Sequence, residues 1–130
     1  MKKIIFIISL VIMALVGQSF KQGNSSSVSN GKNVYETYCM SCHQENGEGV
    51  SGVFPPLAKT GRLSDKNKLV KIILKGMSGP INVKGVKYEA EMASVSLTDK
   101  ETADVINYIR NSWGNKAPVI TVAEVSAAKK

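Results

Sequence analysis

Two cysteines and one histidine are all the thiol and imidazole chemistry in this chain of 130 residues, and all three fall within Cys39-Met40-Ser41-Cys42-His43. Two thiols separated by two residues can add across the two vinyl groups on one side of a porphyrin. An imidazole directly after the second thiol then lies under the iron. The pattern predicts one covalently attached haem c, held by thioether bonds from Cys39 and Cys42, with His43 as the proximal iron ligand. The same residues have three other possible chemistries. A thioredoxin-like dithiol needs its Cys-x-x-Cys after a strand in a βαβ pattern, which the sequence lacks. A Cys39–Cys42 disulfide would close a very small loop and stabilise little. A zinc site would need a carboxylate as fourth ligand.

A second axial ligand must come from elsewhere in the chain. No second histidine exists, and methionine is the usual partner in electron-transfer sites. Of five methionines, Met1 and Met13 lie in the N-terminal apolar stretch and Met40 sits between the two cysteines. Met77 and Met92 remain. Met92 is favoured because it stands in the loop leading into the last long helix, although packing in a core is the commoner role for methionine.

The elements that must carry these residues are short. The first expected helix runs from Lys32 to about Met40, with Val34, Tyr35 and Tyr38 on one face. The second runs from Asp65 to Lys75, with Leu69, Ile72 and Ile73 as its apolar stripe and Gly76 as its C-cap. The third opens on a Thr98/Glu101 capping box, carries Val105, Ile106, Ile109 and Trp113, and ends by Gly114. A fourth, short helix is expected after Thr121, which has Glu124 three residues on. Gly47 to Pro56 and Met77 to Leu97 read as loops, and no strand pair is evident. The Met77 to Leu97 loop holds few apolar residues and cannot pack alone, so it makes sense wrapped around a large apolar group. The fold class expected is therefore all-α, with three to four short helices and long loops around one covalent haem.

The N-terminus has its own logic. Lys2 and Lys3 precede a 13-residue apolar run, Ile4 to Val16, and small or polar residues follow. That is the layout of a secretory signal peptide, assigned to residues 1–19, and the run is shorter than the roughly 18–20 residues that span a bilayer. An uncleaved N-terminal anchor is the alternative, and the only membrane association expected. Residues 20–30 (including the Ser/Asn-rich KQGNSSSVSN) read as a flexible linker. The domain is placed at 31–114 and a C-terminal extension at 115–130. Export to the periplasm or the outer face of the cytoplasmic membrane agrees with haem c, which is attached outside the cytoplasm. The formal charge is +7, and loss of Lys2 and Lys3 lowers it by two, to +5. Aromatics are not interleaved with the basic residues, which argues against nucleic-acid binding. Lys59, Arg62, Lys66, Lys68, Lys71 and Lys75 concentrate positive charge and suggest either a solvated helix face or a docking patch for an acidic partner.

Taken together, these residues resemble the class I (mitochondrial-type) cytochrome c family, especially small bacterial members and the haem domains that accompany dehydrogenases. The likeness covers about Gly31 to Gly114. Gly31, Tyr35, Cys39, Cys42 and His43 are similar to the family's opening helix and attachment site. Phe54-Pro55-Pro56-Leu57 resembles the segment whose proline carbonyl accepts the proximal histidine N–H, so the resemblance implies that Pro55 orients His43. Gly79-Pro80-Ile81, Gly85, Tyr88 and Met92 resemble the distal methionine loop, and the likeness implies Met92 as distal iron ligand. Val105 to Arg110 resembles the last helix, with Tyr108 near Gly31. The chain departs from the family at Ala93, where proline commonly follows the ligating methionine. What the resemblance implies is a non-enzymatic single-electron carrier with His/Met ligation. Its partners would be exported or membrane redox proteins, such as a dehydrogenase, a reductase or a terminal oxidase. The alternative is a peroxidase-like haem enzyme or gas sensor with an open distal site.

Overall fold

The structure, a computed structural model, describes residues 25–130. The expected signal peptide, residues 1–19, and the first part of the expected linker lie outside the described residues.

Residues 25–38 form helix α1. This corrects the expectation of a flexible linker for residues 25–30. Serine is a weak helix former, but tertiary bonds override that preference here. Ser27 Oγ donates to Asp104 Oδ1 at 2.6 Å and accepts from Asn107 Nδ2 at 3.0 Å. α1 buries Gly31 and Tyr35, one turn apart, against the last long helix.

One turn of helix follows, α2 (Met40–His43). α3 (Lys66–Lys75) starts where the Asp65 carboxylate accepts from the Lys68 amide and stops at Gly76, whose φ is +78°. It turns Leu69, Val70 and Ile73 inward. α4 (Asp99–Asn111) has both halves of the Thr98/Glu101 capping box. Eight of its residues are buried, so it is the central helix and not a surface one. α5 (Val122–Ala128) has a second complete capping box, Thr121 with Glu124. α3, α4 and α5 all pack on one another. The segment beyond residue 114 therefore folds back onto the domain, and Ile120, Val125 and Ala128 enter the common core. Each fully buried aliphatic side chain there, such as Ile106 or Val70, contributes about 1.5–3 kcal/mol.

The expected absence of strands needs correcting. Ile81–Val83 (β1) and Val86–Tyr88 (β2) form an antiparallel hairpin with Ile81 opposite Tyr88 and Val83 opposite Val86. The apolar residues alternate with Asn82 and Lys87, which face solvent. Lys84 and Gly85 both have positive φ, +51° and +82°, the geometry that matches strand twist in a two-residue turn. Asn82 Oδ1 accepts from the Gly85 amide at 2.9 Å. Otherwise the domain is helical and loop-rich, as expected.

α4 also ends earlier than its apolar spacing suggested. Trp113 lies beyond it with φ +53°, an unusual conformation for a bulky residue. Ring packing fixes it there: Trp113 lies 5.0 Å from Tyr35 and 5.3 Å from Tyr108, centroid to centroid.

Candidate haem site

The attachment segment is positioned by α1. The Cys39 amide donates to Tyr35 O at 2.8 Å and the His43 amide to Cys39 O at 2.9 Å, so the chain makes one more helical turn past Cys39. Residues four apart share a helix face, and Cys39 and His43 both line one cavity of about 450 Å³. Burial and the neighbouring Cys42 thiol push the Cys39 thiol up to about 11.

The loop after His43 folds back on it. The Gly49 amide donates to His43 O at 3.0 Å, and the Leu57 and Ala58 amides both donate to Gly47 O. Gly49 has φ +64°, and a Cβ there would meet Phe54 O at 2.3 Å, so the tight reversal needs glycine. The result sets Pro55 O 2.9 Å from His43 Nδ1. A carbonyl can only accept, so Nδ1 carries the proton and Nε2 keeps its lone pair. Burial lowers the His43 pKa, against the Pro55 bond, which raises it. The neutral imidazole that a metal requires is thus favoured.

Three further segments close the cavity. α3 contributes Leu69, Ile72 and Ile73, α4 contributes Val105 and Ile109, and the hairpin contributes Ile81 and Val83. Met77 and Met92 both line it. They form an isolated antiparallel bridge, with each amide donating to the other's carbonyl at 2.9 Å. Sequence reasoning separated these two methionines and missed their pairing, which no local pattern announces. The Val95 amide donates to Ile73 O at 2.8 Å, so the segment after Met92 is tied to α3 although Ala93 follows the methionine. One stretch of the lining is polar: Thr60, Arg62, Ser64, Asp65 and Lys68. Arg62 Nη1 also donates to Asn82 O at 3.0 Å, joining this stretch to the hairpin.

This lining fits a haem. A flat apolar macrocycle needs an aliphatic slot, nitrogen and sulfur donors directed into it, and a polar edge for its two carboxylates. All three are present. Among the described residues, no group of three or more His, Cys, Asp or Glu could hold a metal ion.

A mostly helical domain whose loops enclose such a slot, with Cys39 and His43 of a Cys-x-x-Cys-His segment in its lining and the free Cys42 thiol just outside it, defines a c-type haem protein. The chain belongs to the cytochrome c family, whose model matches residues 28–113. It is 37% identical over 105 residues to cytochrome c-552 of Thermus thermophilus, covering 75% of this chain and 69% of that protein. It is 40% identical over 108 residues to the cytochrome c subunit of alcohol dehydrogenase (quinone) of Gluconacetobacter polyoxogenes, covering 80% of this chain but 23% of that protein. It is also similar to the gluconate 2-dehydrogenase cytochrome c subunit of Pantoea cypripedii, 32% identical over 121 residues and spanning 27% of that protein. The cofactor is covalently bound haem c and the fold is that of class I cytochromes c, a family of electron carriers and of haem subunits that are not themselves catalytic.

Proposed function

We propose that this chain is a single-electron carrier with His43 and Met92 as axial ligands and with Cys39 and Cys42 as the thioether anchors. The haem, when bound, supplies a one-electron couple at its iron. The residues do the rest. Pro55 O holds the Nδ1 proton of His43 and so leaves the Nε2 lone pair for the iron. The thioether of Met92 is a soft donor that favours the ferrous state and raises the potential relative to a second nitrogen ligand. With His43 and Met92 both holding the iron, the chain would leave no position for a substrate or gas.

The observation that carries this reading is that His43 and Met92, far apart in sequence, line one apolar cavity. The cytochrome c subunits of dehydrogenases among the relatives support a dehydrogenase as redox partner. The basic face of α3 offers a docking surface. Lys68, Lys71 and Lys75 remain exposed there, whereas Lys66 is paired with Glu124. The basic n-region and the apolar run near the N-terminus support a place on the exported side of the cytoplasmic membrane.

The test is carbon monoxide added to the reduced, haem-loaded protein. An electron carrier with a filled distal side keeps its spectrum and titrates as one reversible one-electron couple. Ready binding of carbon monoxide would instead support the peroxidase-like or sensor reading.

A further inference from the structure

Helix α3 ends directly against the segment that carries Met92. The Gly76 amide caps the helix by donating to Ile72 O at 2.9 Å, and Ile72 itself lines the haem cavity. Immediately afterwards Met77 exchanges its two backbone bonds with Met92, and Ile73 O accepts from Val95. The ligand segment is therefore fixed to one helix end at two places, on either side of Ala93 and Ser94. The approach is very close. A Cβ on residue 76 would stand 2.6 Å from Met92 O, 3.1 Å from Ser94 N and 3.4 Å from Ala93 C. All three are backbone atoms, which cannot swing aside as the end of a side chain can.

We propose that Gly76 is the positioning residue for the distal ligand: its lack of a side chain lets the end of α3 press against the Met92 carbonyl and hold the Met92 thioether in the cavity. The proposal rests on the reading of Met92 as that ligand. A neutral thioether is a weak donor, so its hold depends on being placed in advance by the chain around it. A residue that levers the Met92 backbone off α3 weakens that placement without touching the iron, the cysteines or His43.

Gly52 supplies the control. Its φ is +74°, close to the +78° of Gly76, but a Cβ there meets nothing within 4 Å, and it lies outside the distal loop. Haem-loaded wild type, Gly76→Ala, Gly52→Ala and Met92→Ala would be titrated with imidazole in the ferric state, following the near-infrared band of methionine-ligated iron. Gly76→Ala is expected to bind imidazole about tenfold more tightly than wild type, and Gly52→Ala to stay within about twofold. Equal affinities for Gly76→Ala and wild type, or equal effects of the two alanines, would overturn the proposal. A band that Met92→Ala removes, together with a Gly76→Ala imidazole affinity equal to that of wild type, overturns the proposal alone. A spectrum that Met92→Ala does not change overturns the ligand assignment and the proposal with it. Should Gly76→Ala fail to load haem, amide exchange in the wild type decides. The Met77 and Met92 amides should lose protection together when imidazole displaces the ligand. Continued protection of both would mean that the bridge does not hold the thioether.

Discussion

A Cβ on Gly31 would lie 1.9 Å from the carbonyl oxygen of Asp104, closer than any two non-bonded atoms can sit. The backbones of α1 and α4 therefore touch at this point, and Tyr108 Cβ stands 2.8 Å from the same position. This crossing sets the angle at which α1 delivers Cys39 to the cavity, because the Cys39 amide is still bonded to α1 through Tyr35 O. Gly31→Ala must push the two helices apart. Overpacking of this kind costs about 3 kcal/mol, read as a lower denaturant midpoint of the haem-loaded protein. An unchanged midpoint would mean that the crossing is not tight.

Asn107 joins the C-terminal segment to α4. It is buried, its Nδ2 donates to Ile120 O at 3.0 Å, and its Oδ1 accepts from the Ile120 amide at 2.7 Å. Asn107→Ala leaves both backbone groups of Ile120 buried without these partners. The expected loss is about 2–3 kcal/mol in chemical unfolding, with faster amide exchange at Ile120 as its local sign. A loss within a few tenths would contradict the pairing.

The start of α5 should also respond to acid. Bonds from Lys66 and from the Thr121 amide and hydroxyl hold the Glu124 carboxyl down from an ordinary 4.5 to about 2. A carboxyl depressed on folding contributes stability that is fully present above its unfolded value and is lost as pH falls through its folded one. The contribution of Glu124 is therefore intact above about pH 4.5 and fades towards pH 2. Because the group is exposed, the effect is small. The stability difference between wild type and Glu124→Gln should shrink over that window and be constant above it. A difference that does not vary with pH would remove Glu124 from the acid response.

Much of the site was legible in the sequence because its chemistry is local. Cys39, Cys42 and His43 announce themselves by spacing, and the capping boxes at Thr98 and Thr121 announced two helices. Met92 came from its place before α4. The pairing of Met77 with Met92 was not legible, since it depends on where the end of α3 lies in space. The hairpin could have been found: Ile81, Val83, Val86 and Tyr88 alternate with polar residues around Lys84-Gly85. Each strand is only three residues long, too short for the alternation to stand out from a loop. Residues 25–30 misled by composition, because the Ser27 bonds to Asp104 and Asn107 are long-range. The burial of Arg110, which donates to Pro118 O at 2.9 Å, was equally out of reach of any local pattern.

Removal of the haem should cost the fold itself. Leu69, Ile73, Val105 and Ile109 line the cavity and belong to the main core as well. Helices as short as these are marginal without packing. Chain produced without covalent haem attachment should show mostly unfolded circular dichroism and no cooperative thermal transition. A stably helical haem-free chain would show that the protein core suffices.

On the reading proposed above, Met92 sulfur is the second ligand to the iron that His43 holds. The most direct measurement is the near-infrared absorption of the ferric haem-loaded protein, taken on wild type, Met92→Ala and Met77→Ala. The weak band of methionine-ligated iron should be present in wild type, absent in Met92→Ala and retained in Met77→Ala. Loss of the band in Met77→Ala with its survival in Met92→Ala would move the ligand to Met77, and its absence from wild type would mean that no methionine binds the iron.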